Sequence, residues 1–164
     1  MPIIRTESDL EQLTTTVVGE FAAPLEALWE MWADPRRFER WWGPPGFPAT
    51  VDEHEFKPGG IVKYHMTGPD GTEHPGWWQV LAVDPPTRLE FRDGFADDAG
   101  EVSESGPVTV TNVDLEPCGS GCTRMTMIGR YASAESLQEV LDMGALEGMR
   151  QAADQIDALL AAQT

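Results

Sequence analysis

The chain has 164 residues, 41% hydrophobic and 24% charged, which suits one domain with a real core and excludes a disordered chain. Its 28 Asp and Glu against 11 Lys and Arg give a net charge of −17, so nucleic acid and anionic membrane surfaces are excluded as natural partners by phosphate repulsion. No run approaches the roughly 18 apolar residues of a membrane span, and residues 1–10 lack a basic start followed by an apolar stretch, so a cytoplasmic protein without a signal peptide is expected.

Taken in order, residues 1–12 read as a polar lead-in. Thr14 to Phe21 is rich in β-branched residues and predicts a first strand. Pro24 suits the first turn of a helix marked by Leu25, Leu28, Trp29, Met31 and Trp32, ending near Asp34-Pro35. A second short helix carries Phe38, Trp41 and Trp42 until Gly43-Pro44-Pro45-Gly46 stops it.

A series of strands and turns follows. Thr50 to Phe56, Ile61 to Thr67, Trp77 to Val83, Arg88 to Phe95, Val108 to Leu115 and Thr123 to Tyr131 read as strands. Lys57-Pro58-Gly59-Gly60, Pro69-Asp70-Gly71 and Asp84-Pro85-Pro86 separate them as turns, with His74-Pro75 placed in a turn as well. Residues 96–106 are acidic, small and polar, and read as a flexible loop. Cys118 and Cys122 flank Gly-Ser-Gly in the last hairpin. A disulfide across that turn is geometrically conceivable, but without an export signal reduced thiols are expected.

Ser133 to Ala162 predicts one long amphipathic helix. Leu137, Leu141, Gly144, Gly148, Ala152, Ile156 and Leu159 recur at three- and four-residue steps, opposite a charged face. It is the only element long enough to cover so many antiparallel strands. The expected architecture is therefore α+β, a strongly curved antiparallel sheet wrapped round a C-terminal helix in a single domain, 1–164. Gly144 and Gly148 thin the apolar stripe. They allow close packing on a strand, or they border a ligand cavity; the cavity is the reading preferred here.

Several motifs together carry a family resemblance: Leu28-Trp29-Glu30, Asp34-Pro35, Trp41-Trp42-Gly43-Pro44, Lys57-Pro58-Gly59-Gly60, Pro85-Pro86-Thr87-Arg88-Leu89, Gly121-Cys122-Thr123 and Glu147-Gly148-Met149. In order and spacing the chain resembles the SRPBCC (START-like) superfamily over roughly residues 8–162. The nearer branch is that of the C-terminal domain of the activator of heat-shock protein 90 ATPase. The resemblance implies the helix-grip (Bet v 1-like) fold with a cavity between sheet and helix. It implies ligand carriers, cyclases or hydratases, and chaperone regulators as functional classes, the last ranked lowest.

Candidate site residues follow from strand alternation. If Pro58-Gly59 is the turn, Glu53 pairs with Tyr64 and Val51 with Met66. Glu53 then faces inward beside Tyr64 and Met66, the weak candidate for a general base. The opposite face pairs Asp52 with His65 and sets His54 beside Lys63 as a solvated ladder. Trp41, Trp42 and Trp78 form an aromatic wall and Met125 and Met127 an adaptable lining, with Leu141, Gly144 and Gly148 on the helix. No nucleophile set, phosphate loop or four-ligand metal group is legible, so no cofactor or metal is expected. The expected partner is a small apolar or aromatic molecule, bound by a monomer or homodimer that takes no nucleic acid and no membrane.

Overall fold

The structure, a computed structural model, describes residues 2–162; Met1, Gln163 and Thr164 of the expected domain lie outside the described residues. The order is β1 (Ile3–Asp9), β2 (Thr14–Phe21), α1 (Leu25–Ala33), α2 (Pro35–Phe38), β3 (Ala49–His54), β4 (Ile61–Thr67), β5 (Glu73–Asp84), β6 (Arg88–Phe95), β7 (Thr109–Gly119), β8 (Cys122–Tyr131), α3 (Ala134–Asp142) and α4 (Ala145–Ala161). All strands join one antiparallel sheet in the order β1-β2-β8-β7-β6-β5-β4-β3. The helices cover its concave face, giving the helix-grip fold.

Strand alternation explains which face is filled. In β8, Thr123, Met125, Met127 and Gly129 are buried and alternate with partly exposed residues, and Val113 and Leu115 answer them from β7. The α1–α2 corner drives an aromatic plug into one half of that face. Trp32 is central, with ring centroids 4.7 Å from Trp41, 5.9 Å from Trp42 and 6.0 Å from Trp78. Trp78 in turn stacks on Phe91 at 3.8 Å. The plug is tied to the backbone where Trp41 Nε1 donates to the Met31 carbonyl at 2.7 Å. Asp34 caps α2 by accepting from the Arg36 amide at 2.9 Å. At the outer end of the plug, Gln155 of α4 donates to the Gly43 carbonyl at 2.8 Å and fixes the loop after α2.

Four sequence expectations are corrected. Residues 3–9 are an edge strand rather than a lead-in; only Ile3 is buried, so no alternation marks it. His74 and Pro75 lie within β5, not in a turn. The terminal helix is not continuous: Gly144 adopts φ +75°, a left-handed conformation that suits glycine, and separates α3 from α4. Cys118 and Cys122 form a disulfide rather than staying reduced. The tight turn at Ser120-Gly121 sets Gly119 opposite Cys122 and leaves the two cysteine Cα atoms 5.1 Å apart, within disulfide reach.

The acidic segment 96–106 lies on the convex side. Lys63 Nζ donates to Glu101 at 2.8 Å, Arg92 pairs with Glu104, and the Trp77 indole donates to the Ser103 carbonyl at 2.9 Å. These contacts hold the segment over Trp77 and bury that ring from the side opposite the core.

Candidate functional site

The aromatic plug occupies only one half of the concave face. Over the other half, beneath the α3–α4 break, a cavity of about 420 Å³ remains. Its floor is sheet: Thr15 and Val17 of β2, Tyr64 and Met66 of β4, Phe91 and Asp93 of β6, Thr109 and Thr111 of β7, and Met127, Gly129 and Tyr131 of β8. Its roof is Met143, Gly144, Ala145, Leu146, Gly148 and Met149, and Trp42 closes the side toward the plug. A Cβ added at Gly148 meets nothing within 4 Å, so this glycine borders open space rather than a close-packed strand. At the rim, Phe95 and Met143 are exposed apolar side chains.

One glycine behind the floor, on β5, works through close approach. A Cβ at Gly76 would lie 2.5 Å from the Tyr64 hydroxyl, so only glycine on β5 lets the Tyr64 ring lie across that strand. Burial raises the Tyr64 hydroxyl above the ordinary tyrosine value, and the nearby Asp93 charge adds to this; an interaction with Trp42 acts the other way. Tyr131 reaches Thr15 Oγ1 with its hydroxyl at 3.3 Å, and burial raises its pKa too.

Asp93 stands out chemically. It is cross-strand to Trp78 and Thr109, on the inward side of β6 that also carries Leu89 and Phe91. It faces the cavity, yet its Oδ1 is shut off from solvent and has no hydrogen-bond partner among the described residues. Burial without a compensating partner pushes the carboxyl up to about 7. Among the described residues, the cavity wall has no Lys, Arg or His, and no group of three or more His, Cys, Asp or Glu could hold a metal ion.

Of the residues singled out from sequence, Trp42, Tyr64, Met66, Met127, Gly144 and Gly148 come together on the cavity wall. Trp41, Trp78 and Met125 are fully buried in the core away from it, and Leu141 is half-buried outside it. Glu53 is a correction. A bulge between Val51 and Glu53 puts Val51, not Glu53, opposite Tyr64, and pairs Ala49 rather than Val51 with Met66. Glu53 instead lies opposite Lys63 with its carboxylate 3.8 Å from Nζ and 54% exposed. A base at Glu53 has no access to the cavity. The same one-residue shift takes His54 off the outer ladder; it lies opposite Val62, its ring stacked on Phe56 with centroids 5.3 Å apart. Asp52 and His65 do meet on the outside, at 2.8 Å.

Asp93, Thr15, Thr109, Thr111 and Tyr131 were not singled out from sequence. A signal for Asp93 was present. Leu89, Phe91, Asp93 and Phe95 alternate along one strand face, so a carboxylate stands in an inward position.

The comparisons with known proteins agree with this architecture. No curated protein matches the chain. A solved protein from Arthrobacter aurescens is 47% identical, with 97% of this chain and 92% of that one covered and a TM-score of 0.92. A protein from Mycobacterium smegmatis is 48% identical, covering 99% and 100%, with a TM-score of 0.88. The AHSA1 protein from Silicibacter pomeroyi is 25% identical, covering 92% and 99%, with a TM-score of 0.74. The family model described as Activator of Hsp90 ATPase homolog 1-like protein matches residues 22–161. With that match across most of its length, the chain belongs to the Activator of Hsp90 ATPase homolog 1-like family.

Proposed function

We propose that this protein binds a small, largely apolar molecule in the cavity between the sheet and the α3–α4 helices. The observation that carries the reading is the cavity of about 420 Å³, roofed by Gly144, Ala145 and Gly148, with open space where a Gly148 side chain would stand. Its size lies in the range typical of small-molecule sites, and its walls combine apolar side chains with a few polar groups, as such sites do. A domain that needed only a core would gain stability by filling this space, since each buried CH₂ contributes about 0.8 kcal/mol.

Gly148→Leu tests the reading. The new side chain starts in open space and replaces a glycine that costs its helix roughly 0.5–1 kcal/mol. The expected outcome is a melting temperature raised by about 2 °C or more, together with loss of naphthalene-type probe binding measured by fluorescence titration. A variant that melts lower while the probe still binds would contradict the assignment.

A further inference from the structure

Within that cavity we infer a more specific recognition: the bound molecule is an apolar amine whose protonated nitrogen is held by the Asp93 carboxylate. The inference rests on the cavity being a binding site and adds the chemical class of its occupant.

The starting point is Asp93 Oδ1, buried and without a hydrogen-bond partner among the described residues. A buried carboxylate is kept ionised only by a partner that donates hydrogen bonds or positive charge. The protein does not supply that partner. The adjacent Arg92 points to the convex face, where it bonds Gln79 at 2.8 Å and lies 5.6 Å from the Trp77 ring centroid. The titratable side chains sharing the cavity with Asp93 are Tyr64 from β4 and Tyr131 from β8. β2 and β7 offer only threonines and a valine there, and the α3–α4 roof is uncharged. Neither tyrosine carries a positive charge. The missing counterpart is therefore a cation that arrives with the ligand.

Three further features favour a cation over a neutral or anionic group. Trp42, Tyr64, Phe91 and Tyr131 give the wall four aromatic rings, whose faces attract an ammonium. The chain's net charge of −17 draws cations toward it and repels carboxylates and phosphates. The buried indole N–H groups also need weighing, since an unpaired donor beside an unpaired acceptor would suit a hydroxyl. The Trp42 N–H is turned toward the Tyr64 hydroxyl without a bond of ordinary length, and Trp32 and Trp78, which are away from the cavity wall, have unpaired N–H groups too. An unpaired indole N–H is thus a general feature of this core and does not select for a hydroxyl.

The amine keeps its proton and Asp93 loses its own on binding, so the ion pair forms at the expense of one released proton. Affinity should then rise with pH below about 7, the value to which burial brings the empty carboxyl, by up to about tenfold per pH unit, and level off above it.

The test uses three probes with one ring system: 1-naphthylmethylamine, 1-naphthylmethanol and 1-naphthoate, titrated calorimetrically into the parent protein and Asp93→Asn. The expected result is that the amine binds the parent about tenfold or more tightly than the alcohol, a charge-assisted contact, with the naphthoate weakest. In Asp93→Asn the amine's advantage over the alcohol should vanish. The pH profile of amine binding to the unmodified parent gives a check that needs no variant. An alcohol that matches the amine, a naphthoate that binds tightest, or an amine preference that survives Asp93→Asn overturns the inference while leaving the cavity as a site. Failure of all three probes to bind the parent removes both readings.

Discussion

At pH 8 the Asp93→Asn protein is expected to melt on the order of 10 °C above its parent, while near pH 4 the two should melt together. Burial disfavours the charge and pushes the folded carboxyl up to about 7, against 3.8 for an ordinary aspartate. Between those values the folded state keeps the proton and the unfolded state has released it. Stability therefore falls as pH rises through this window, and it is flat above about 7. The gap corresponds to on the order of 4 kcal/mol lost to Asp93 by pH 8. Asparagine has nearly the same shape and no charge to bury, so it does not suffer this loss. The other carboxylates of this acidic chain shift both curves alike and cancel in the difference. Chemical denaturation at pH 4, 6 and 8 measures it. A difference constant across pH would show that Asp93 is not buried as described, and a variant less stable than its parent at pH 8 would show that its charge is already compensated.

The second large effect is in the aromatic plug. Trp32 is 1% exposed and touches Phe38, Trp41, Trp42, Trp78 and Phe91, with ring centroids 4.7 to 6.3 Å away. Truncating such a ring costs about 3–5 kcal/mol from lost transfer energy and the void left behind. The edge-to-face contacts with Trp41 and Trp42 add roughly 0.5–1.5 kcal/mol each. Against a typical total stability of about 5–15 kcal/mol, Trp32→Ala should unfold the domain or leave it marginal. Trp32→Phe should cost much less. It keeps an aromatic ring in place and removes an indole N–H that is buried without a partner. Urea denaturation of both variants checks the pair. If Trp32→Ala lost under 2 kcal/mol, the plug would not be the stable half of the concave face that leaves the other half open.

Much of the fold was legible because its punctuation is chemical. Lys57-Pro58-Gly59-Gly60 and Pro69-Asp70-Gly71 mark turns, β-branched runs mark strands, and a long amphipathic stretch needs a sheet to cover. What escaped has no such mark. β1 is exposed on nearly every residue, so it lacks the alternation that reveals a half-buried strand. The bulge in β3 contains neither Gly nor Pro, and a single unpaired residue turned Glu53 outward and undid the proposed base. Gly144 sat on the helical stripe, where its spacing fits a continuous helix; that spacing carries no mark of its left-handed backbone. Part of the cavity wall was legible: Trp42, Tyr64, Met66 and Met127 as inward aromatic and Met positions, and Gly144 and Gly148 on the helix stripe. Its polar end was missed because Thr15, Thr109, Thr111 and Tyr131 look ordinary in a strand, and only the sheet order β2-β8-β7-β6 brings them beside Asp93.

The claim that this cavity is a ligand site is tested most directly by following the backbone amides of ¹⁵N-labelled protein during separate titrations with 1-naphthylmethylamine, 1-naphthylmethanol and 1-naphthoate, any one of which suffices. The account predicts saturable shifts at Thr15, Asp93, Thr111, Gly129 and Gly148, which converge on the cavity from four strands and α4. Asp52 and Lys63 on the convex face should not move. Shifts centred on that outer face, or no saturable shift at the cavity residues, would contradict it.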